Sequence, residues 1–404
     1  MSATASRLEQ NRPYSTVSRS RLSIFCAATI LYWISMYTYV PVLSPYLESK
    51  SYSFSMIGII LGSYGFMQIL IRLPLGIYSD KLGKRKPFLF LGFAAATVSC
   101  LMFLIPGHWL WPLLARSVAG VSASAWVGFT VLFAAYYPPE QATRAMGTIS
   151  FLTVTGQLIG MALSGFLADG LGWPSVFVAG GAAGISGLVL AFAVYEAPPQ
   201  QGRAPMRVKD LGSVITNPML LKVSALSILA HSILFITMFG FTPSQALLLG
   251  ASKSGLTFLS VCFMIPHAVT SILSGKVFAP RFGPWNMAFT GFALSAVCTL
   301  AIPFVPNFAM LCVTQAINGF AQGLHLPLLL GLAIQEIEPA KRATAMGFYQ
   351  AVYALGMFAG PFIAGWLNEG FGLDAGFYLG GSIGLFAAVL ALSWRKAASD
   401  SGRS

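Results

Sequence analysis

The side chains in this sequence that could do chemistry are few, and most stand in apolar surroundings. Arg116 shares a helical face with Gly120, Ala123 and Thr130. Burying an uncompensated guanidinium is expensive, so an arginine there either binds an anionic or polar group or snorkels to an interface. Gln315, Asn318, Gln322 and His325 recur at spacings of three, four and three. At 100° per residue they fall within an arc of about 80°, a stripe that must face protein or water. Such a stripe lines a polar cavity or hydrogen-bonds a neighbouring helix. His231 shares a face with Ser224, Ser227, Phe235, Met238 and Thr242. A reference pKa near 6.5 would let His231 or His325 carry a proton. Trp33 and Tyr37, one turn apart, offer aromatic surface to packing or to a solute.

What is missing narrows the chemistry. The sequence has 12 Asp and Glu, none deep inside an apolar block, so no buried carboxylate is on hand to hold a cation or relay protons. An anionic, zwitterionic or neutral solute suits that composition better than a lipophilic cation. The five cysteines show no paired spacing, which argues against disulfides or a metal cluster. There is no metal-binding His pair, nucleophile elbow, phosphate loop or Cys-x-x-Cys, so neither an enzyme nor a cofactor is expected.

These residues must be positioned by membrane-spanning elements. The chain has 404 residues, 56% hydrophobic and 9% charged, with mean hydropathy +0.73. Soluble domains carry roughly 25% charged residues. A helix needs about 20 mainly apolar residues to cross a hydrocarbon core. Blocks of that kind predict twelve spans, near 22–45, 56–78, 88–105, 110–135, 145–168, 173–194, 219–242, 254–278, 285–304, 308–334, 344–367 and 373–394. The expected fold is therefore an all-α polytopic membrane protein. Arg19 and Arg21 precede the first span, which is too long for a signal-peptide core and is expected to be retained.

Charge gives the orientation. Of 24 Lys and Arg, twenty fall in one alternating set of connections. Lys50 and Lys253 fall in the other set, while Arg72 and Arg116 lie within spans. The positive-inside rule then puts both termini in the cytoplasm of a multi-pass protein in the plasma or bacterial inner membrane. That accounts for the net charge of +12 without nucleic acid. The division expected is a tail over 1–21, a six-helix half over 22–194, a linker over 195–218, a second half over 219–394 and a tail over 395–404. A short surface helix is expected in the linker near Arg207–Ile215.

The halves repeat at an offset of about 200 residues. Gly156, Gly160, Gly165, Gly170 and Gly172 meet Gly356, Gly360, Gly365, Gly370 and Gly372. Phe177, Gly180, Gly181 and Gly184 meet Phe377, Gly380, Gly381 and Gly384. Glycine at four-residue spacing lets helix backbones approach closely in lipid.

The run Gly76-Ile77-Tyr78-Ser79-Asp80-Lys81-Leu82-Gly83-Lys84-Arg85-Lys86 resembles the loop between spans two and three of the major facilitator superfamily. A decayed echo runs from Gly275 to Gly283, with Ala279 in the Asp position. Arg116-Ser117-Val118-Ala119-Gly120 resembles the fourth-span motif of the proton-coupled drug antiporters, with Ala119 replacing the usual glutamine. The exporter-type glycine–proline motif is matched better by Gly356, Gly360 and Pro361 than by Gly156, Gly160 and Met161. The resemblance implies a secondary transporter whose halves rock about a central site lined by spans one, four, seven and ten. It implies a conformational latch at Gly76, Asp80, Lys81, Gly83, Lys84 and Arg85. Proton-coupled export of a small solute such as a drug or secreted metallophore is expected, acting as a monomer. Import or uniport of a metabolite, and a non-transporting sensor, stand as alternatives.

Overall fold

In the computed structural model the chain is described over residues 17–138, 141–197, 208–338 and 341–401. Most of the expected N-terminal tail, linker residues 198–207 and residues 402–404 lie outside the described residues. The first half contains α1 (Arg19–Tyr37), α2 (Leu43–Ser49), α3 (Phe54–Leu82), α4 (Lys86–Met102), α5 (Leu110–Ala134), α6 (Ala142–Leu171) and α7 (Pro174–Ala193). The short α8 (Val208–Ile215) matches the expected surface helix. The second half contains α9 (Pro218–Ile236), α10 (Thr242–Leu248), α11 (Lys253–Leu273), α12 (Ala279–Phe282), α13 (Pro284–Ala301), α14 (Phe308–Gln335), α15 (Arg342–Phe371) and α16 (Asp374–Ser401).

Local signals set the helix starts. Ser53, Asn217, Ser252 and Asn307 each accept a hydrogen bond from a backbone N–H three residues on, with Pro218 at the first helical position of α9. Such caps satisfy donors that the helix itself leaves open. Gly83 ends α3 in the left-handed conformation, φ 65°.

Among the described residues eleven helical stretches are long and apolar enough to cross a membrane. The expected third span departs from this. Its helix α4 covers 17 residues, about 25 Å of rise against a core of about 30 Å, because the chain turns at Phe103 and Leu104. The first span departs in the other direction. Its helical stretch continues to Ser49, so Glu48, assigned to a loop by its charge, sits at the end of the bundle.

The halves show internal pseudo-symmetry. Helices α6 and α15 each have 30 residues and each end at a glycine with positive φ, Gly172 and Gly372. Gly156 and Gly160 lie against Ile30 and Ile34 of α1, and Gly356 and Gly360 lie against Ile228 and Ser232 of α9. In both halves a side chain at these glycines would collide with backbone.

Contacts between the halves gather toward one end. A Cβ on Gly58 of α3 would lie 2.9 Å from the Cα of Gly365 on α15. Thr257 of α11 accepts from Gly165 N (2.9 Å) and donates to the Ala162 carbonyl (3.0 Å). Ser44 donates to the Gly240 carbonyl at 2.8 Å, in the π-helical turn Thr237–Phe241. Ser244 of α10 donates to Glu48, and Lys253 lies over the Trp173 ring at 4.4 Å. Hydrogen bonds and ring contacts between the halves extend from this sealed end to Arg72 and Tyr353. The end carrying Asp80 and Arg85 lies beyond that pair.

Candidate functional site

Arg116 lies on the first half's side of the seam, held by Tyr39 and Tyr64 of its own half. Its side chain is 3% exposed. Nη1 donates to the Tyr39 hydroxyl at 3.3 Å, and the guanidinium lies 4.2 Å above the Tyr64 ring centre. A tight cleft beside it is lined by Met36, Tyr37, Val40, Tyr64 and Arg116 of the first half and Phe235 and Phe239 of the second. Tyr64 stacks on Phe235 at 5.9 Å, and Tyr37 meets Phe239 edge-on at 5.7 Å. The walls are therefore aromatic with one fixed cation, an arrangement suited to an anionic group attached to an apolar body. Of the expected aromatic pair, Tyr37 lines the pocket directly. Trp33 stands behind it, packed at 5.6 Å on Tyr37 and at 4.9 Å on Trp126.

His231 reaches the seam by another route. Its Nδ1 lies 2.7 Å from the Ser227 carbonyl, and its ring stacks on Tyr353 of α15. The Tyr353 hydroxyl accepts from Arg72 Nη1 at 2.9 Å, and Arg72 Nη2 donates to the Ala123 carbonyl at 3.2 Å. Neither Arg72 nor Tyr353 was among the site residues expected from sequence. The signal for Arg72 was present, since it is the other arginine inside a span. Tyr353 gave none, because one tyrosine in an apolar helix is ordinary.

The polar stripe of α14 meets α13 at three of its four positions. Asn318 Oδ1 accepts from Ser295 Oγ at 2.7 Å, and Ser295 Oγ accepts from Gln322 Nε2 at 3.3 Å. His325 stacks on Phe292 at 4.2 Å. Both partners belong to α13, and Gln315 is fully buried as well. None of the four lines the Arg116 pocket. Packing on α13 satisfies the stripe only in part, since both polar atoms of Gln315, Asn318 Nδ2, Gln322 Oε1 and both ring nitrogens of His325 are buried without a hydrogen-bond partner among the described residues.

At the loop expected to be a latch, Arg85 Nη2 lies 2.5 Å from Asp80 Oδ1, and Nη1 donates to Ser79. Gly76 is buried and Gly83 makes the turn, while Lys81 and Lys84 are exposed. Glu196 is the residue here that sequence reasoning left in the linker. Its two oxygens accept from the backbone N–H groups of Arg85 (2.8 Å) and Lys86 (2.7 Å), capping α4. A carboxylate fits this position, where the helix dipole presents its positive end.

The family model of the Major Facilitator Superfamily matches residues 25–248 and 227–403. The chain belongs to that superfamily. It is 24% identical over 404 aligned residues to the "MFS-type transporter SLC18B1" of Mus musculus, covering 92% of this chain and 83% of that one. It is 25% identical to the "Multidrug resistance protein MdtG" of Proteus mirabilis, covering 79% and 80%. Its fold matches the crystal structure of a bacterial homolog of the human lysosomal transporter Spinster, in an inward-facing and unoccupied conformation. The TM-score is 0.77 at 18% identity, covering 94% and 97% of the two chains. As a superfamily member this is a multi-pass membrane protein and a secondary transporter of a small molecule by alternating access, not an enzyme. Membership holds at the level of the superfamily, a coarser placement than the drug-antiporter group suggested by the fourth span.

Proposed function

We propose that this superfamily member moves a small organic anion across a cell membrane, with the anionic group on Arg116 and transport linked to protons. The observation that carries this reading is a guanidinium buried against Tyr39 and Tyr64 with no carboxylate partner among the described residues. Held in a low-dielectric pocket between two halves, it favours a solute that brings the missing negative charge. In this reading both termini and the Asp80–Arg85 loop face the cytoplasm, so the described state is sealed on the outer side. His231 carries the proton, because it reaches the seam while His325 packs against α13. Asp80, Arg85 and their neighbours act as the latch between states.

Two observations bear on direction. The Gly356-Gly360-Pro361 motif and the name of the similar MdtG proteins favour export in exchange for protons. Against them, a proton on His231 adds positive charge beside Arg72, across the Tyr353 ring both residues touch. That charge strengthens anion binding, and by linkage the anion strengthens proton binding. Co-binding of this kind favours symport, and hence uptake in cells that hold an inward proton gradient.

The test is flux of radiolabelled organic anions in proteoliposomes, with and without an imposed pH gradient. The reading expects gradient-dependent flux that Arg116→Gln abolishes while the protein still folds. Preserved flux in that variant refutes the anion site. Flux indifferent to the gradient refutes proton linkage and establishes uniport. Export predicts protons moving opposite to the anion, and uptake predicts protons moving with it.

A further inference from the structure

The seam holds a second buried cation that the Arg116 pocket does not use. Arg72 of α3 is 5% exposed, and its Nε, like that of Arg116, is buried without a hydrogen-bond partner. A guanidinium has five N–H donors. The Tyr353 hydroxyl and the Ala123 carbonyl take one bond each. Among the described residues neither arginine has a carboxylate partner. Glu48 and Glu369 bond across the seam at the sealed end instead, to Ser244 and to the Ser55 backbone N–H. Two uncompensated cations in a low-dielectric seam make a positive field that one monoanion would only half neutralise.

Their placement is specific. Arg116 and Ala123, whose carbonyl holds Arg72, are seven residues apart on α5, ~10 Å of helix rise. Tyr64 links the two: its ring lies under Arg116, and it precedes Arg72 by eight residues on α3, ~12 Å of rise. Tyr64 stacks on Phe235, so the interval between the two cations is aromatic. We infer that the solute is an organic dianion of the dicarboxylate class, with Arg116 and Arg72 holding its two charged ends across an apolar spacer. This rests on the reading of Arg116 as an anion site and adds a length and a second charge to it.

The second end also reports to the other half of the protein. Arg72 and Ala123 belong to the first half, while Tyr353 belongs to the second. An anionic group that takes donors from Arg72 competes with the Tyr353 hydroxyl and so acts on a cross-half contact. The first end, on Arg116 and Tyr39, lies within one half. Binding of the distal charge is therefore the event that shifts the balance between conformations.

Suberate and its monomethyl ester test this, because they have the same length and differ by one charge. Binding to the purified full-length protein is measured by calorimetry. The expected result is that suberate binds about tenfold tighter than the monoester, the size of one charge-assisted hydrogen-bonded contact. Arg72→Gln should bring suberate down to the level of the monoester, and Arg116→Gln should weaken both. Tyr353→Phe keeps Arg72 but removes its cross-half bond, so it should retain the preference for suberate. Equal binding of the two probes by the wild-type protein overturns the dianion, leaving Arg116 as a monoanion site. An equal loss of both probes in Arg72→Gln also overturns it, marking Arg72 as a structural strut. No binding of either probe by the wild type, with no effect of Arg116→Gln, overturns the anion reading and this inference together.

Discussion

The imidazole of His231 lies flat on the phenol ring of Tyr353, with ring centres 4.1 Å apart and planes 3° from parallel. His231 belongs to α9 and Tyr353 to α15, and Arg72 of the opposite half holds the Tyr353 hydroxyl at 2.9 Å. Three helices thus bring a titratable ring, a neutral ring and a fixed cation into line at the seam between the halves. Other ionisable groups near that line include Tyr349, edge-on to Tyr353, His325 on α14, and Tyr32, Tyr37 and Tyr64 of the first half.

That alignment makes His231 the residue to change for coupling. His231→Gln keeps a polar side chain but cannot titrate, so flux driven by a pH gradient should fall to the level seen without one. Exchange of labelled for unlabelled solute at equal pH should persist. Full gradient dependence in the variant would remove His231 from the proton path.

The sealed end depends on backbone contact between Gly58 and Gly365, where a Cβ has no room. Gly58→Val should force α3 and α15 apart and open that end. Leu47, fully buried on α2 next to Glu48 at the same end, provides a reporter as Leu47→Cys. Its reaction with an impermeant maleimide should speed up several-fold in the Gly58→Val background. Unchanged labelling would mean that the seal rests on the Ser44, Ser244 and Thr257 hydrogen bonds instead.

Glu196 ties the start of α4 to the end of the first half through two backbone N–H groups. Loss of a helix cap costs about 1 kcal/mol. Glu196→Ala should therefore lower the thermal unfolding midpoint by about one degree and loosen the Asp80–Arg85 turn. Glu196→Gln, which keeps one acceptor oxygen, should fall between. Equal midpoints in all three proteins would show that the cap contributes nothing.

Asn318 is a packing residue in this structure, bonded to Ser295 across α13 and α14. Asn318→Ala leaves the buried Ser295 hydroxyl short of a partner, a loss of about 1–3 kcal/mol. Thermal stability should drop while solute affinity stays at the wild-type value. A large change in affinity with unchanged stability would return the stripe to the solute path.

Much of this molecule was legible in its sequence. Solubility in hydrocarbon is a local property, so runs of apolar residues located the spans. The repeated glycines at 156 and 160 and at 356 and 360 announced which helices approach closely, because only glycine tolerates that contact. The Asp80–Arg85 loop could be recognised because its spacing is a local turn. What only the tertiary structure decided was which faces meet. Asn318, Gln322 and His325 form one stripe on any helical wheel, but a wheel does not say whether α13 or a cavity lies opposite. Arg72 and Arg116 were both visible as arginines within spans, yet their placement at the seam beside Tyr64 and Tyr353 needs three helices from two halves to pack. Glu48 and Glu196 looked like loop acids because charge normally marks a loop. Their roles, one reaching across the seam and one capping a helix, come from partners 196 and about 110 positions away in the chain. Local chemistry fixes what each segment can bury, and packing between distant segments fixes which of its polar groups find partners.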